Sequence, residues 1–198
     1  MFEDYIKTEL ESIIENIYRD NNMLFPHDLT IRNLERAFNV NVRFMEDAPN
    51  RAIWDDEVAV IFLQSKMQLK EIRSVLFHEI CHPFRHVGSQ EVQPQLFRGL
   101  QEIQANLFQL YSSIPFFMLE SITLPSTEDE LVHLFEEVFV VTREVAVKRL
   151  EQIKARIWRN KMDIQLKERE KQRHKKNSIE LSTESVRLLQ QLSYQVNK

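Results

Sequence analysis

Apolar residues recur at intervals of three and four along most of the chain, which is the spacing of amphipathic helices. The pattern predicts helices over residues 3–21, 31–38, from 65 onward, 95–119, 127–139 and 142–172. Thr30 is the predicted N-cap of the second helix. The apolar stripes of the third and fourth helices are, in chain order, Leu69, Ile72, Leu76 and Ile80, then Leu96, Leu100, Ile103, Leu107, Leu110 and Ile114. Each stripe predicts the face of its helix that packs into the core.

Shorter segments with alternating apolar and polar residues lie between the second and third helices. They predict strands at about residues 40–46, 51–55 and 58–63. Only two glycines and six prolines occur in 198 residues, which indicates few tight turns. The predicted fold is therefore α+β and mostly helical, with a small sheet of about three strands before the third helix.

The composition narrows the cellular setting. A single cysteine, Cys81, rules out an intramolecular disulfide and fits a reducing compartment, and we expect it to be a packed thiol. The N-terminal sequence MFEDYIKTEL lacks the apolar core of a secretory signal. The most apolar run, SIPFFMLESITL, is too short and too polar to span a bilayer. These features predict a soluble, cytoplasmic protein that does not associate with membranes.

The formal net charge of −4 conceals an asymmetry along the chain. Residues 1–142 hold 11 Lys/Arg and 23 Asp/Glu, whereas residues 143–176 hold 13 Lys/Arg and 5 Asp/Glu. The favoured interpretation of the basic segment is a solvated helix that folds back on the acidic body. The alternative is a surface for nucleic acid or an acidic partner.

The sequence LFEEVFVVTREVAVKRL also has the pattern of a helix-turn-helix, with a helix, a Val-Val-Thr turn and a second helix. If it read DNA, Arg143, Lys148 and Arg149 would face the major groove. The first helix of the pair is acidic, however, and would repel phosphates. A packed helix pair, or a surface that docks another protein, is therefore favoured.

The stretch FHEICHPFRH, at positions 77–86, contains the strongest chemical signal in the chain. On a helix His78 and His82 lie about 40° apart, so both imidazoles project from one face. Two ring nitrogens at this spacing can bind one Zn²⁺. Glu79 lies beside them, where it can accept a proton from water on the metal. The alternative is a helix whose histidines are packed or solvated without a metal.

Catalytic zinc usually takes three protein ligands. His86 is a poor third ligand, because it lies two helical turns beyond His78 and because Pro83 is expected to disturb the helix first. A glutamate on the following helix, Glu102, is the better candidate, 20 residues after His82.

The surroundings of Glu102 support this choice. Ala105, one turn further along, would let the ligand helix approach closely, and Asn106 is a candidate for hydrogen bonding to a ligand. Both glycines of the chain, Gly88 and Gly99, lie between the histidines and Glu102, where the chain must reverse.

The combination of HEICH, a connector of about 20 residues and ExxAN at 102–106 resembles the ImmA/IrrE family of metallopeptidases. The order of elements also agrees, with N-terminal helices and a small sheet that ends in VAVIFLQ before the histidine helix. VFVVTREVAVKRL is similar to a later segment of the family. The resemblance covers roughly residues 30–155.

The resemblance implies a site as well as a fold. It implies one Zn²⁺ per chain, bound by His78, His82 and Glu102, with Glu79 as the general base. Hydrolysis also needs a group that stabilises the oxyanion. The candidates, which the sequence does not separate, are His86, Arg98, Tyr111 and His133.

The resemblance implies a zincin-like metallopeptidase domain, which we assign to residues 1–158. The composition beyond that point predicts a charged C-terminal helical extension or partly disordered tail at 159–198. Family members from phages and mobile elements cleave a cognate helix-turn-helix repressor, and QANLFQLYSSIPFFML is most similar to that branch. The expected function is a zinc endopeptidase acting on a specific regulatory protein. The alternative, motivated by the basic segment 143–176, is a non-proteolytic regulatory or DNA-binding protein with the same fold.

Overall fold

The computed structural model describes residue 2 and residues 4–86, 94–177 and 183–196. Its elements are α1 (Glu9–Asp20), a 3₁₀ turn (Pro26–Asp28), α2 (Ile31–Phe38), β1 (Asn41–Met45), β2 (Arg51–Trp54), β3 (Ala59–Gln64), α3 (Leu69–Arg85), α4 (Gln95–Ser113), α5 (Phe116–Leu119), α6 (Glu128–Val138), α7 (Arg143–Asn177) and α8 (Thr183–Val196). The prediction of a mostly helical α+β fold with a small three-stranded sheet is confirmed.

The sheet is mixed, with strand order β1-β3-β2. The central strand β3 runs parallel to β1 and antiparallel to β2. Ile61 of β3 pairs with Val42 on one side and Ala52 on the other, and all three side chains are buried. They form one apolar row across the sheet. Because α3 packs on β2 and β3, the sheet supports the histidine helix from one side.

Local hydrogen bonds explain where the first helices begin. Thr8 caps α1 through a reciprocal capping box with Glu11, so the helix starts at Glu9 and not at residue 3 as predicted. The N-cap role predicted for Thr30 is confirmed, because its hydroxyl accepts from the Asn33 amide at 3.2 Å.

The helix α3 differs from its prediction at both ends. It begins at Leu69, which is exposed and not part of the buried stripe, whereas Ile72, Leu76 and Ile80 are buried as expected. The helix also continues through Pro83, although a disturbance was expected there. Proline removes a single amide donor, and the helical pattern resumes at once, since the amide of residue 86 donates to His82 O at 2.9 Å.

The fourth predicted helix is divided in two. It ends at Ser113, and the short α5 follows Pro115, whose missing amide proton and ring disfavour a continuous helix. The predicted apolar stripe is wrong over its first three turns. Its exposed members are Leu96, at 91%, with Leu100, Ile103 and Leu107, and its buried members are Leu110 and Ile114. The face that packs towards α3 carries Ala105 and Phe108 instead, both fully buried.

A buried ion pair joins the first helix to the seventh. Arg149 of α7 is 0% exposed and donates from Nη2 to Glu11 Oε1 at 2.8 Å and from Nε to the Ile114 carbonyl at 3.0 Å. Tyr5 donates to the same carboxylate oxygen at 2.5 Å. We call these three side chains, Glu11, Arg149 and Tyr5, the Glu11–Arg149 cluster.

The pair α6 and α7 packs into the body of the protein. The buried Arg73 of α3 donates to the carbonyls of Phe139 and Val140 in the turn between the two helices. Arg149 is fully buried, so it cannot face a DNA major groove, and its burial agrees with the favoured interpretation of a packed helix pair. Arg143 is tied to α6 through Asp129 and Glu136, each at 3.3 Å.

The C-terminal part of the chain is helical where the structure describes it. The helix α7 crosses the predicted boundary at 158/159 without a break, and α8 follows. Ile153 is the last buried residue among the described side chains of α7, and Trp158 is 66% exposed. The division at this point stays a prediction. Among the described residues, no helix is long and apolar enough to cross a bilayer.

Candidate metal centre

The packing of α3 against α4 brings together the three residues predicted as zinc ligands, His78, His82 and Glu102. Glu102 Oε2 lies 3.2 Å from His78 Nε2, and Glu102 Oε1 lies 3.9 Å from His82 Nε2. The two imidazole rings are 5.2 Å apart between centroids, as expected one turn apart on a helix. With Glu79 these residues form what we call the metal centre.

Glu79 lies beside the histidines and is largely buried, at 9% exposure. Ligand atoms of His78, Glu79 and His82 all lie within 4.8 Å of one another. Glu79 Oε2 accepts from the backbone amide of Ala52 at 2.8 Å, which fixes the carboxylate against the edge strand β2. Burial raises the pKa of Glu79 to about 7, and the nearby Glu102 carboxylate adds to the rise.

His82 is the most enclosed member of the centre, at 3% exposure. Burial lowers its pKa to about 4, and the neighbouring His78 and His86 contribute to the decrease. His82 is therefore neutral near pH 7, which is the form that can ligate a metal. The indole of Trp54 is stacked beside it, with ring centroids 6.1 Å apart and planes 15° apart.

His86 contacts the centre through His82. Its Nδ1 lies 3.1 Å from His82 Nδ1, its Nε2 lies 3.1 Å from Gln104 Oε1, and its backbone carbonyl accepts from Trp54 Nε1 at 3.1 Å. Trp54, Gln104 and Ala52 are additional residues of this site that were not predicted from the sequence. Gln104 lies within the ExxAN segment. The roles of Trp54 and Ala52, and the hydrogen bonds that join His82, His86 and Gln104, depend on tertiary contacts that no sequence spacing indicates.

The other predicted site residues lie outside this group. Asn106 is exposed and makes no hydrogen bond to the centre among the residues that the structure describes. Cys81 is fully buried, and burial raises the pKa of its thiol to about 12, as expected for a packed thiol. The connector residue Gly88 lies outside the described residues.

Of the four residues predicted as candidates to stabilise the oxyanion, only His86 contacts the metal centre among the contacts of the described residues. His86 contacts the centre, and Arg98 is exposed one turn before Glu102 on α4. Tyr111 is buried near the Glu11–Arg149 cluster, where its hydroxyl accepts from Gln152 at 3.4 Å. His133 lines a separate cavity of about 480 Å³ with Leu124 and Leu134.

The donor set fits zinc. Two imidazoles and a carboxylate form one of the ligand sets that catalytic zinc uses. His78 is partly buried and Glu102 is exposed, so the cleft between α3 and α4 is open to solvent on one side. These features would let the three residues hold a metal while a substrate approaches.

Comparisons with known proteins identify the family of the chain. The sequence matches the Peptidase_M78 family, described as the IrrE N-terminal-like domain, over residues 35–151. It is 32% identical over 153 residues to phage-like element PBSX protein XkdA of Bacillus subtilis, which covers 77% of this chain and 76% of that protein. It is 27% identical over 146 residues to the uncharacterized protein YqaB of the same organism, covering 74% and 84%.

A solved structure, a Mycobacterium tuberculosis transcriptional regulator, superposes with a TM-score of 0.44 at 17% identity, over 74% of this chain and 47% of that one. The family match extends over more than half of the chain and agrees with the resemblance to the phage branch of the ImmA/IrrE proteins. A metallopeptidase family implies a metal, which is typically zinc. The chain belongs to the IrrE N-terminal-like (Peptidase_M78) family of proteins with a metallopeptidase fold.

Proposed function

We propose that this protein is a zinc-dependent endopeptidase that hydrolyses a peptide bond in a specific regulatory protein. The observation that carries the proposal is the buried Glu79 carboxylate beside two imidazoles, with ligand atoms of the three side chains within 4.8 Å of one another. A carboxylate in this position can accept a proton from a water between the three groups, as a general base does.

The ligands would be His78, His82 and Glu102, which hold one Zn²⁺ per chain. When bound, zinc would supply Lewis-acid chemistry, polarising the scissile carbonyl and making water a better nucleophile. The neutral state of His82 favours this role, since its ring needs no deprotonation before it binds a cation.

Glu79 moves the proton. The Ala52 amide orients the carboxylate through Oε2, and we assign proton transfer to Oε1. That oxygen takes a proton from the attacking water and delivers it to the nitrogen of the leaving amine, so the carboxylate is regenerated. The half-buried Trp54 shields His82 and limits the access of further water to this side.

The proposed substrate is a cognate helix-turn-helix repressor encoded near this protein. The similarity to a protein of a phage-like element supports a phage or mobile-element setting. The specificity would then come from surfaces that bind the repressor beyond the metal centre.

The test is co-expression of the chain with the repressor of the neighbouring gene, followed by a search for a cleavage product. Wild type should produce one, and Glu79→Gln should not. The matched control is Glu57→Gln, an exposed glutamate in the β2–β3 turn, which should cleave as wild type does. Cleavage by Glu79→Gln at the wild-type rate would contradict the proposal.

A second candidate is a regulatory protein that binds DNA without proteolysis. The exposed basic residues of the distal part of α7 favour it, namely Arg159, Lys161, Lys167, Arg169, Lys171 and Arg173. DNA binding that weakens steeply with salt and survives Glu79→Gln, without any cleavage product, would support this candidate.

A further inference from the structure

A chain of three side chains leads from the metal centre to α4. His82 Nδ1 and His86 Nδ1 are 3.1 Å apart, and His86 Nε2 and Gln104 Oε1 are 3.1 Å apart. His82 and His86 are both buried, so water competes little for these hydrogen bonds. None of the three is used by the proton transfer described above.

The chemistry of these groups determines where the protons lie. The amide oxygen of Gln104 can only accept, so His86 Nε2 must carry the proton of that hydrogen bond. A neutral His86 then has a lone pair on Nδ1, which accepts from His82 Nδ1–H. His82 consequently keeps its lone pair on Nε2, the atom that faces Glu102.

The backbone holds His86 in place for this role. Its amide donates to His82 O at 2.9 Å, and its carbonyl accepts from Trp54 Nε1 at 3.1 Å. The backbone of His86 is thus held by α3 and by β2, while Gln104 of α4 contacts its ring. The three elements that form the centre therefore meet at His86.

We propose that His86, oriented by Gln104, is a positioning residue that selects the metal-binding tautomer of His82 and aims its Nε2 at the metal. This inference rests on the proposed metal function. A histidine ligand commonly donates its second ring N–H to an acceptor that fixes its orientation. Here that acceptor is another imidazole, whose own tautomer is set by an amide oxygen two residues after Glu102.

The experiment compares zinc affinity across variants at position 104, measured on the full chain by competition with a chromophoric chelator. Gln104→Leu should raise the Kd for zinc about 10- to 100-fold, the usual effect of losing such an outer partner. Gln104→Glu keeps an acceptor oxygen and should restore affinity to within a few-fold of wild type. Gln101→Leu is the matched control, because Gln101 is buried on the same helix and its Oε1 has no hydrogen-bond partner among the described residues.

A second readout needs no metal. In metal-free protein with ¹⁵N-labelled histidine, long-range NMR correlations should show His82 protonated at Nδ1 and His86 protonated at Nε2. Gln104→Leu should remove this preference, whereas Gln101→Leu should leave it intact. Thermal unfolding of each variant shows whether it is folded.

The outcomes separate this inference from the proposed function. If wild type does not bind zinc, the metal function itself is contradicted. If wild type binds zinc and Gln104→Leu binds it equally well, only the positioning role is overturned. Equal losses in Gln104→Leu and Gln104→Glu would also overturn it, because the effect would then come from packing and not from an acceptor.

Discussion

Among the residues that the structure describes, carboxylates are buried in two places, and the two differ in how their charge is balanced. In the Glu11–Arg149 cluster, burial by itself would raise the pKa of Glu11, but Arg149 and the hydrogen bonds from Thr8 and Tyr5 outweigh it and lower the pKa. In the metal centre, burial raises the pKa of Glu79 to about 7, and Glu102 raises it further. The negative charge of Glu11 is therefore balanced by the Arg149 side chain, whereas the charged side chain that most affects the pKa of Glu79 is another carboxylate.

This difference separates a structural site from a chemical one. The Glu11 carboxylate is held ionised by fixed partners, so it has no proton to exchange near pH 7. The Glu79 carboxylate lies near its midpoint at that pH, beside two histidines and a second carboxylate. A site of this kind is suited to a bound cation and to proton transfer.

The largest expected effect concerns the structural cluster. Arg149→Leu leaves the Glu11 carboxylate buried without its cation, so the free energy of unfolding should fall by about 3–5 kcal/mol. Urea denaturation measures this loss. The control is Lys148→Leu, at the residue next to Arg149, which breaks the exposed ion pair between Lys148 and Glu144. It should lower the free energy of unfolding by at most about 1 kcal/mol.

A further variant sharpens this result. Replacing Glu11 as well, in Glu11→Leu/Arg149→Leu, should recover part of the stability, because no uncompensated charge remains. A cost below about 1 kcal/mol for Arg149→Leu alone would show that the cluster does not hold α1 to α7.

The Glu79 carboxylate should make the stability of the metal-free chain depend on pH in the opposite direction to the Glu11 carboxylate. The pKa of Glu79 rises from 4.5 to about 7 on folding, so between these values the metal-free folded chain binds more protons than the unfolded chain. Its stability therefore decreases as pH rises through this window. Glu79→Gln removes the dependence and should be more stable than wild type by about 2–3 kcal/mol at pH 8, measured by denaturation in chelator.

The contribution of Glu11 to stability changes with pH in the opposite direction. Its pKa is lowered in the folded chain, so its contribution is present above the unfolded pKa and is lost as pH falls through the folded value. The advantage of wild type over Glu11→Gln should thus shrink in acid. The disadvantage of wild type relative to Glu79→Gln should instead shrink as pH falls from about 7 to 4.5, and it should be absent below pH 4.5. If Glu79→Gln destabilises the metal-free chain at pH 8, the account of this carboxylate is wrong.

The smallest effect is expected at Cys81, which lies between the two histidines in sequence but outside the centre. Cys81→Ala should reduce stability by about 1 kcal/mol and change the Kd for zinc less than about twofold. Chelator competition and denaturation measure the two quantities. A loss of zinc binding in a folded variant would make the thiol a ligand.

The sequence could predict that the three proposed ligands lie close together because their spacing follows local rules. His78 and His82 lie one helical turn apart, and Glu102 lies on the next helix after a connector that can reverse the chain. The three strands were predicted to within two residues of their ends, since each alternates or is continuously apolar between polar breaks.

Other features depend on tertiary contacts that no local pattern encodes. The α4 stripe has helical spacing but faces solvent over its first three turns, because α4 carries apolar residues on two faces and spacing alone does not choose between them. Arg149 resembled a surface residue of a basic segment, yet its partner Glu11 lies 138 residues earlier. His86 was excluded as a ligand by its distance from His78, and its contact with His82 followed only from the helix continuing through Pro83.

The proposed function requires that His78, His82 and Glu102 together hold a metal, and the zinc content of purified protein measures whether they do. Metal-free chain is loaded with zinc, separated from free metal and analysed for zinc per protein. Wild type should retain about one zinc per chain, and folded Glu102→Ala should retain far less, because it loses one of three ligands. Less than about half a zinc in wild type, or equal zinc in Glu102→Ala, would contradict the account.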